Sequence, residues 1–391
     1  MKLQEFKLSE VTDNFDHLRK PVKGLDRKRG PFPYYGASGI VDYVDNFIFD
    51  GKYLLIAEDG ENLRTRKTPI AFIAKGKFWV NNHAHILRGN EKANTKYLCY
   101  VLQSIDISGY LTGSTMPKLT KGNMNEIRLM LPEMILQNRI VDILGTLDNK
   151  IENNFQMNET FEEMLSSIFK SWFVDFDPVH AKAVGNAPVH MDSETANLFP
   201  DSFDDDGLPV GWTMGKIEDI VNRQSAGKLF NKKIVYKNGV VPVLDQSVTD
   251  IIGFHNEEPS VLASPSNRVI TFANHTCVLR LIDFNFSAIQ NVIPFKGKNY
   301  PTEWVFFASQ NKQKFEEYKG HWPTFMAQST IMPDNKTALA FAKIAEPIVS
   351  KISANLSQNK TLTELRDTLL PKLISGEIYI KDSEHAVKDN L

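Results

Sequence analysis

Between Pro132 and Phe173, apolar residues recur at alternating spacings of four and three, and no other pattern constrains this chain as strongly. The positions are Ile140, Leu144, Leu147, Ile151, Asn154, Asn158, Phe161, Leu165, Ile168 and Trp172. Such a seam belongs to a long helix that buries one edge against a partner helix. The partner lies in the same chain. At an offset of 201, Phe341, Ala345, Ile348, Ile352, Asn355, Asn359, Leu362, Arg366, Leu369 and Leu373 repeat the seam, with both asparagines in the same places. Pro132 maps to Pro333 at this offset. Two unrelated amphipathic helices would not share their polar interruptions, so the chain reads as an internal duplication.

The duplication predicts a register. If the two seams pair antiparallel, partner numbers sum to 513, which sets Asn154 opposite Asn359 and Asn158 opposite Asn355. The same sum pairs apolar residues throughout, including Ile140 with Leu373 and Trp172 with Phe341. Only Leu147 with Arg366 is mixed, and the arginine stem is expected along the seam with its head in water. A slip by one heptad would leave buried amides unpaired, at about 1–3 kcal/mol each.

Outside the helices the repeat continues. Trp212 to Val221 resembles Leu3 to Thr12, and Val241-Pro242-Val243-Leu244 matches Phe32-Pro33-Tyr34-Tyr35, both at an offset of 209. Short strand candidates (Tyr53 to Ala57, Ala71 to Ala74, Val269 to Phe272, Thr276 to Leu281, Val292 to Phe295) lie between Gly, Asn and Pro turns, with a helix expected near Lys96 to Ser108. The expected fold is α+β: two mixed α/β domains separated by two long antiparallel, coiled-coil-like helices, with an internal pseudo-twofold. The expected segments are a first domain at 1–131, a long helix at 132–178, a linker at 179–210, a second domain at 211–332, a second helical region at 333–378 and a tail at 379–391. Asp177-Pro178 is expected to end the first helix, Pro347 to kink or restart the second, and Pro371 to bend its last turn.

Composition excludes several classes. A chain of 391 residues with 42% hydrophobic and 24% charged residues is neither disordered nor fibrous. Two cysteines make no disulfide framework, and no apolar run reaches the roughly 18 residues of a membrane span. Met1 to Phe15 lacks the apolar centre of a signal peptide, so a cytoplasmic protein is expected. A net charge of −2 carries no whole-chain sign of nucleic acid, so such binding would require local segregation of charge.

The motifs of cofactor and hydrolytic chemistry are absent from the sequence: no Gly-rich phosphate loop, GxSxG elbow, HExxH or zinc-spaced Cys and His set. The methyltransferase Asn/Asp-Pro-Pro-aromatic motif is missing too. His83 and His85 suit one strand face, as polar groups on a binding surface rather than a metal site. Charge does segregate. Arg19, Lys20, Lys23, Arg27, Lys28 and Arg29 cluster, Arg64, Arg66 and Lys67 follow a turn, and Lys228, Lys232, Lys233 and Lys237 occupy the equivalent early region of the second copy. Basic and polar loops repeated on a mixed scaffold are what phosphate positioning and base-edge readout require.

The order Pro-Tyr-Tyr-Gly-Ala-Ser-Gly (33–39), Asp-Gly (59–60), Ser-Thr-Met-Pro-Lys-Leu (114–119), Leu-Pro-Glu (131–133) and Gln-Asn-Arg-Ile-Val-Asp-Ile-Leu (137–144) resembles the specificity subunits of type I restriction-modification systems. Phe-Lys-Ser-Trp-Phe-Val-Asp-Phe-Asp-Pro-Val (169–179) is similar to that family's central conserved region, as Leu-Pro-Val-Gly-Trp (208–212) is to the opening of its second copy. One departure is Asp334-Asn335-Lys336-Thr337, where the family pattern has a Glu/Gln-rich start. The resemblance implies two target recognition domains, each reading half of a bipartite asymmetric site in double-stranded DNA. It implies a non-catalytic subunit that directs adenine-N6 methylation by two methylation subunits and cleavage by restriction subunits. S-adenosylmethionine, ATP and Mg would sit on those partners and no cofactor on this chain. The alternatives are a coiled-coil adaptor whose end domains bind proteins, and an enzyme whose site is not evident in sequence.

Candidate DNA contacts are Arg27, Arg29, Tyr35, Ser38, Arg64, Arg66, His83 and Lys118 in the first copy, and Lys228, Lys232, Gln246, Ser247, Arg268, Asn274 and His275 in the second. Phe169, Phe173 and Phe176 exceed what one seam can bury, which marks them for a partner interface or for packing where helix meets linker.

Overall fold

A computed structural model describes residues 2–247, 251–317, 319–378 and 380–390. The chain divides into two compact units, Met1–Asn153 with Gln358–Leu391, and Asn154–Ser357. The long helices are Met134–Phe173 and Asn335–Ser375, and each contributes one end to each unit.

In the first unit, Gln4–Lys7 pairs antiparallel with Arg128–Leu131, and Leu8–Val11 forms a single helical turn. A six-stranded sheet follows in the order Thr12–Asn14, Ala84–Gly89, Phe49–Ala57, Ala71–Val80, Arg29–Gly36, Gly39–Val44. Alternation along these strands sorts the side chains between two faces. Leu54, Ile56 and Leu87 join the helix Thr95–Ser104 in one core, while Phe49, Leu55, Phe78 and Ile86 build a second core on the other face.

The second unit repeats this plan. Thr213–Lys216 pairs with Ser329–Met332, and Ile217–Ile220 is the matching turn. The start of that turn is tied in the same way in both units: Lys7 N donates to Glu10 Oε2 at 2.7 Å, and Lys216 N to Asp219 Oδ2 at 2.8 Å. The sheets differ. Ala71–Val80, one strand serving two neighbours in the first unit, has as its counterpart two strands, Leu279–Ile282 and Ser287–Ile289. Between them Phe286 turns fully inward and Asn285 Oδ1 accepts from Ala263 N at 3.0 Å. The second unit therefore has two four-stranded sheets.

The helices pair antiparallel in the expected register. In the second unit Asn355 Nδ2 donates to Asn158 Oδ1 at 2.8 Å, and the rings of Trp172 and Phe341 meet at 6.3 Å. Asn158 Nδ2 also donates to Ile352 O at 3.3 Å, and in the first unit Asn359 Nδ2 donates to Ile151 O at 3.2 Å, the same spacing with the helices exchanged. Asn154, Asn158, Asn355 and Asn359 are all buried. Arg366 differs from expectation in its head group, which pairs with Asp148 at 3.2 Å instead of standing in water alone.

Three further expectations are corrected. The second helix does not restart at Pro347 but runs continuously through it and through Pro371. Both prolines, and the residues four places before them, are exposed, so each lost backbone bond falls on the solvent side of the helix, where it is tolerated. The first helix stops at Phe173, before Asp177-Pro178, where Asp175 N reaches back five residues to Lys170 O at 2.8 Å instead of making the next helical bond. Pro178 instead opens a new helix, Asp177–Ala183. Residues 179–210 and 380–390 are not loose tethers: Val179 and Phe199 enter the core of the second unit, and the helix Ile380–Lys388 places Val387 in that of the first. Apolar residues inside polar segments decided this, against overall composition.

Candidate nucleic-acid interface

The first unit brings together loops that are distant in sequence. Gly60 N donates to Pro117 O at 3.1 Å and Leu119 N to Glu58 O at 2.8 Å, which sets 58–66 beside 113–119. Arg64, exposed, ties the two by donating to Gly113 O at 2.8 Å, and Arg66 donates to Gln103 O at 3.1 Å. His83 Nδ1 lies 2.8 Å from Asp59 Oδ2, and Lys118 Nζ 3.2 Å from Glu58 Oε1. Arg64, His83 and Lys118 therefore share one loop cluster, yet each already has an acidic or carbonyl partner.

Beneath this cluster lies a buried ionic group that sequence reasoning missed. His85, fully buried, presents Nδ1 to Asp16 Oδ2 at 2.7 Å and Nε2 to Leu119 O at 2.8 Å. Arg19 bonds Glu58 at 2.6 Å beside it. Burial alone would raise the Glu58 pKa, but the bond from Arg19 and the neighbouring charges hold it below the ordinary carboxylate range. His85 is thus a strut under the loops and not a group on the binding surface. No sequence signal links Asp16 to His85, since the pairing exists only once the sheet brings the two segments together.

Arg27 lies just ahead of the strand pair Arg29–Gly36 and Gly39–Val44, and Arg29 begins it. Arg27 is anchored: its guanidinium bonds Asp42 at 3.0 Å and sits 4.4 Å over the Tyr34 ring. The bond from Arg27 holds the Asp42 carboxyl below its usual range. Arg29 and Ser38 are exposed. Tyr35 is half-buried between Phe72 and Phe78, and burial raises its hydroxyl pKa.

In the second unit Gln246, Ser247, Asn274 and His275 form one cluster. Gln246 Oε1 accepts from His275 N at 2.9 Å, Arg280 donates to the carbonyls of Asp245 and Ser247, and His275 Nδ1 faces Lys319 O at 2.8 Å. Lys228 pairs with Glu257 at 2.5 Å, whereas Lys232 is exposed. Arg268 must be withdrawn as a surface contact. Its side chain is 1% exposed, paired with Glu303 at 2.9 Å and donating to Ser350 Oγ at 2.6 Å. Phe169 and Phe173 are likewise core residues, packed with Trp304, Phe341 and Trp212, and half-buried Phe176 meets Trp212 and Phe203. The packing alternative holds for all three, because unit-specific tryptophans supply the apolar surface that one helical seam could not.

Chemically these surfaces offer donors, acceptors and cations without an open nucleophile-base pair among the described residues. His255 Nε2 is 2.9 Å from Ser287 Oγ, but both are buried, so no substrate reaches them. The Cys99 thiol is pushed up to about 12 by burial. No three or more His, Cys, Asp or Glu residues are placed to hold a metal, and no helix is long and apolar enough to cross a membrane, among the described residues.

Residues 2–163 match the type I restriction modification DNA specificity domain. A type I restriction enzyme specificity subunit of Haemophilus influenzae is 40% identical over 140 residues, 36% of either chain. The MjaIX specificity subunit of Methanocaldococcus jannaschii is 23% identical over 84% of this chain and 80% of its own. Among solved structures, the S subunit of the type I restriction-modification system of M. genitalium superposes with a TM-score of 0.60 at 14% identity, covering 95% of this chain and 96% of that one, a likeness of fold.

Proposed function

We infer that this chain is a specificity subunit of a type I restriction-modification system. Its role is to read a bipartite, asymmetric site in double-stranded DNA, one half through each unit. It is the non-catalytic member of its complex: two methylation subunits act on adenine N6 where it binds, and restriction subunits join them. S-adenosylmethionine, ATP and Mg belong to those partners. The observation that carries this reading is the duplication. Two units share the tied first turn, the short helix after the last sheet strand and the helical seam, while their loops carry different side chains. A repeated frame with divergent loops suits the reading of two unlike half-sites. The paired basic segments support duplex DNA over a protein ligand.

The test is a comparison of modified adenines in the host genome with and without this gene. Two short sequences at a fixed spacing should lose modification on deletion, and identical maps would refute the reading. Binding of duplex DNA by the full complex should weaken steeply with salt. Reversing charge at Arg64 and Arg66 should lower affinity, and an unchanged salt slope would remove both from the surface.

A further inference from the structure

The loop before the strand pair is built alike in both units. In the first it runs from Val22 to the strand at Arg29, and in the second from Asn231 to the strand at Val241. Lys23 and Lys28 occupy the same repeat positions as Lys232 and Lys237, and between them stand Leu25 and Ile234. All four lysines are exposed and none forms an ion pair among the described residues, unlike Arg27, Lys118 and Lys228. Leu25 is 102% exposed and Ile234 47%. One exposed aliphatic side chain means little. Two at the same repeat position, each bracketed by lysines, call for a common cause.

Both loops are rigid at the base and free at the tip. In the first, Val22 N donates to Tyr34 Oη at 3.0 Å, Arg27 Nε donates to Val22 O at 3.1 Å, and Leu25 sits in the tight turn Gly24–Asp26. In the second, Tyr236 and Phe254 exchange two backbone bonds of 2.8 Å, and Val240 N donates to Asn256 Oδ1 at 3.1 Å. Gly30 and Gly239 close the loops at matching positions where a Cβ would lie 2.3 Å from Asp45 Cα and 2.8 Å from Phe254 Cβ. Each frame thus holds an apolar tip out into water. The loops differ in charge at four other positions, Gly24, Asp26, Arg27 and Arg29 standing where the second has Lys233, Val235, Tyr236 and Asn238.

Resting on the DNA-reading function above, we propose that these loops are a matched pair of DNA-reading elements, in which Lys23 and Lys28, or Lys232 and Lys237, contact phosphates and Leu25, or Ile234, contacts the bases between them. Cations on either side of an apolar tip fit a groove, where phosphates flank an interior that offers thymine methyl groups or an openable base step. Leu25 and Ile234 are then specificity-determining residues, one for each half-site.

The experiment selects sequences from a randomised duplex DNA pool with the full complex and measures affinity against salt. Leu25→Ser should lose sequence preference in one half only, and Ile234→Ser in the other, each with about a tenfold loss on the wild-type site and an unchanged salt slope. Lys23→Gln with Lys28→Gln should keep the selected sequence and lower the salt slope by about 2. Leu25 makes no buried contact, so a folding defect does not confuse the result. If wild type selects a bipartite sequence and both serine variants select it unchanged, the loop assignment is overturned while the DNA-reading function stands. If wild type selects nothing, the functional reading itself has failed and the loops fall with it.

Discussion

The short helix that locks onto the long helices is held by opposite charges in the two units. In the first, Lys96, second residue of Thr95–Ser104, reaches Asp148 at 3.0 Å, and Asp148 also takes Tyr100 and Arg366. In the second, the same position of Thr302–Ser309 is Glu303, which holds Arg268, and Arg268 also bonds Ser350. An acid near a helix N-terminus is favoured and a base is not. The first unit compensates with Asn94, whose side chain accepts from Lys96 N and Tyr97 N, a cap its counterpart Pro301 does not supply. What is shared is a polar tie at one place on the helix pair, and the sign of the charge was free to change.

The two ties should fail unequally. Glu303→Gln strands a buried guanidinium and should cost the second unit about 3–5 kcal/mol. Lys96→Met leaves Asp148 with Tyr100 and Arg366 and should cost about 1 kcal/mol. Four of the five tryptophans (Trp172, Trp212, Trp304, Trp322) lie in the second unit, so fluorescence during urea unfolding reports the first variant, and hydrogen exchange of Thr95–Ser104 the second. Equal losses would show that burial does not separate the two ties.

The asparagine seams should, by contrast, fail equally. Asn158→Leu removes the bonds to Asn355 and to Ile352 O, Asn359→Leu removes the bond to Ile151 O, and each should destabilise its own unit by about 1–3 kcal/mol. Leucine at both Asn158 and Asn355 should restore stability while loosening the register, readable as broadened distances between spin labels on the paired helices. A double variant as unstable as the single one would mean that packing, not amide pairing, fixes the register.

The smallest effect expected is in acid. Burial lowers the His255 pKa below its usual 6.5, so the unfolded chain takes up that proton first, and the second unit loses stability as pH falls below about 6.5. Asp16 behaves otherwise. Burial would raise its pKa, but the bond and charge of His85 hold it below 3.8, so its stabilisation is intact above that pH and lost beneath it. Hydrogen exchange, corrected for intrinsic rates, should show Ile251–His255 loosening as the pH falls below 6.5 while Ala84–Gly89 stays protected. His255→Gln should abolish the difference.

The sequence by itself determined the frame: the seams, the asparagine register, the repeated opening segment and five of the strands. These follow from periodicity and from matched positions, which are local or compare the chain with itself. Tertiary structure decided the fate of the charges and aromatics. Arg268, by sequence a candidate surface cation, is a buried strut, because Glu303 and Ser350, 35 and 82 residues away, converge on it. Phe169 and Phe173 looked surplus to one seam until Trp212 and Trp304 came to cover them. Whether a polar or aromatic residue faces water depends on which distant groups arrive beside it. A repeat reveals that two places are alike, but not what stands next to either, and only the packed chain brings those neighbours within the few ångströms over which a hydrogen bond or an ion pair acts.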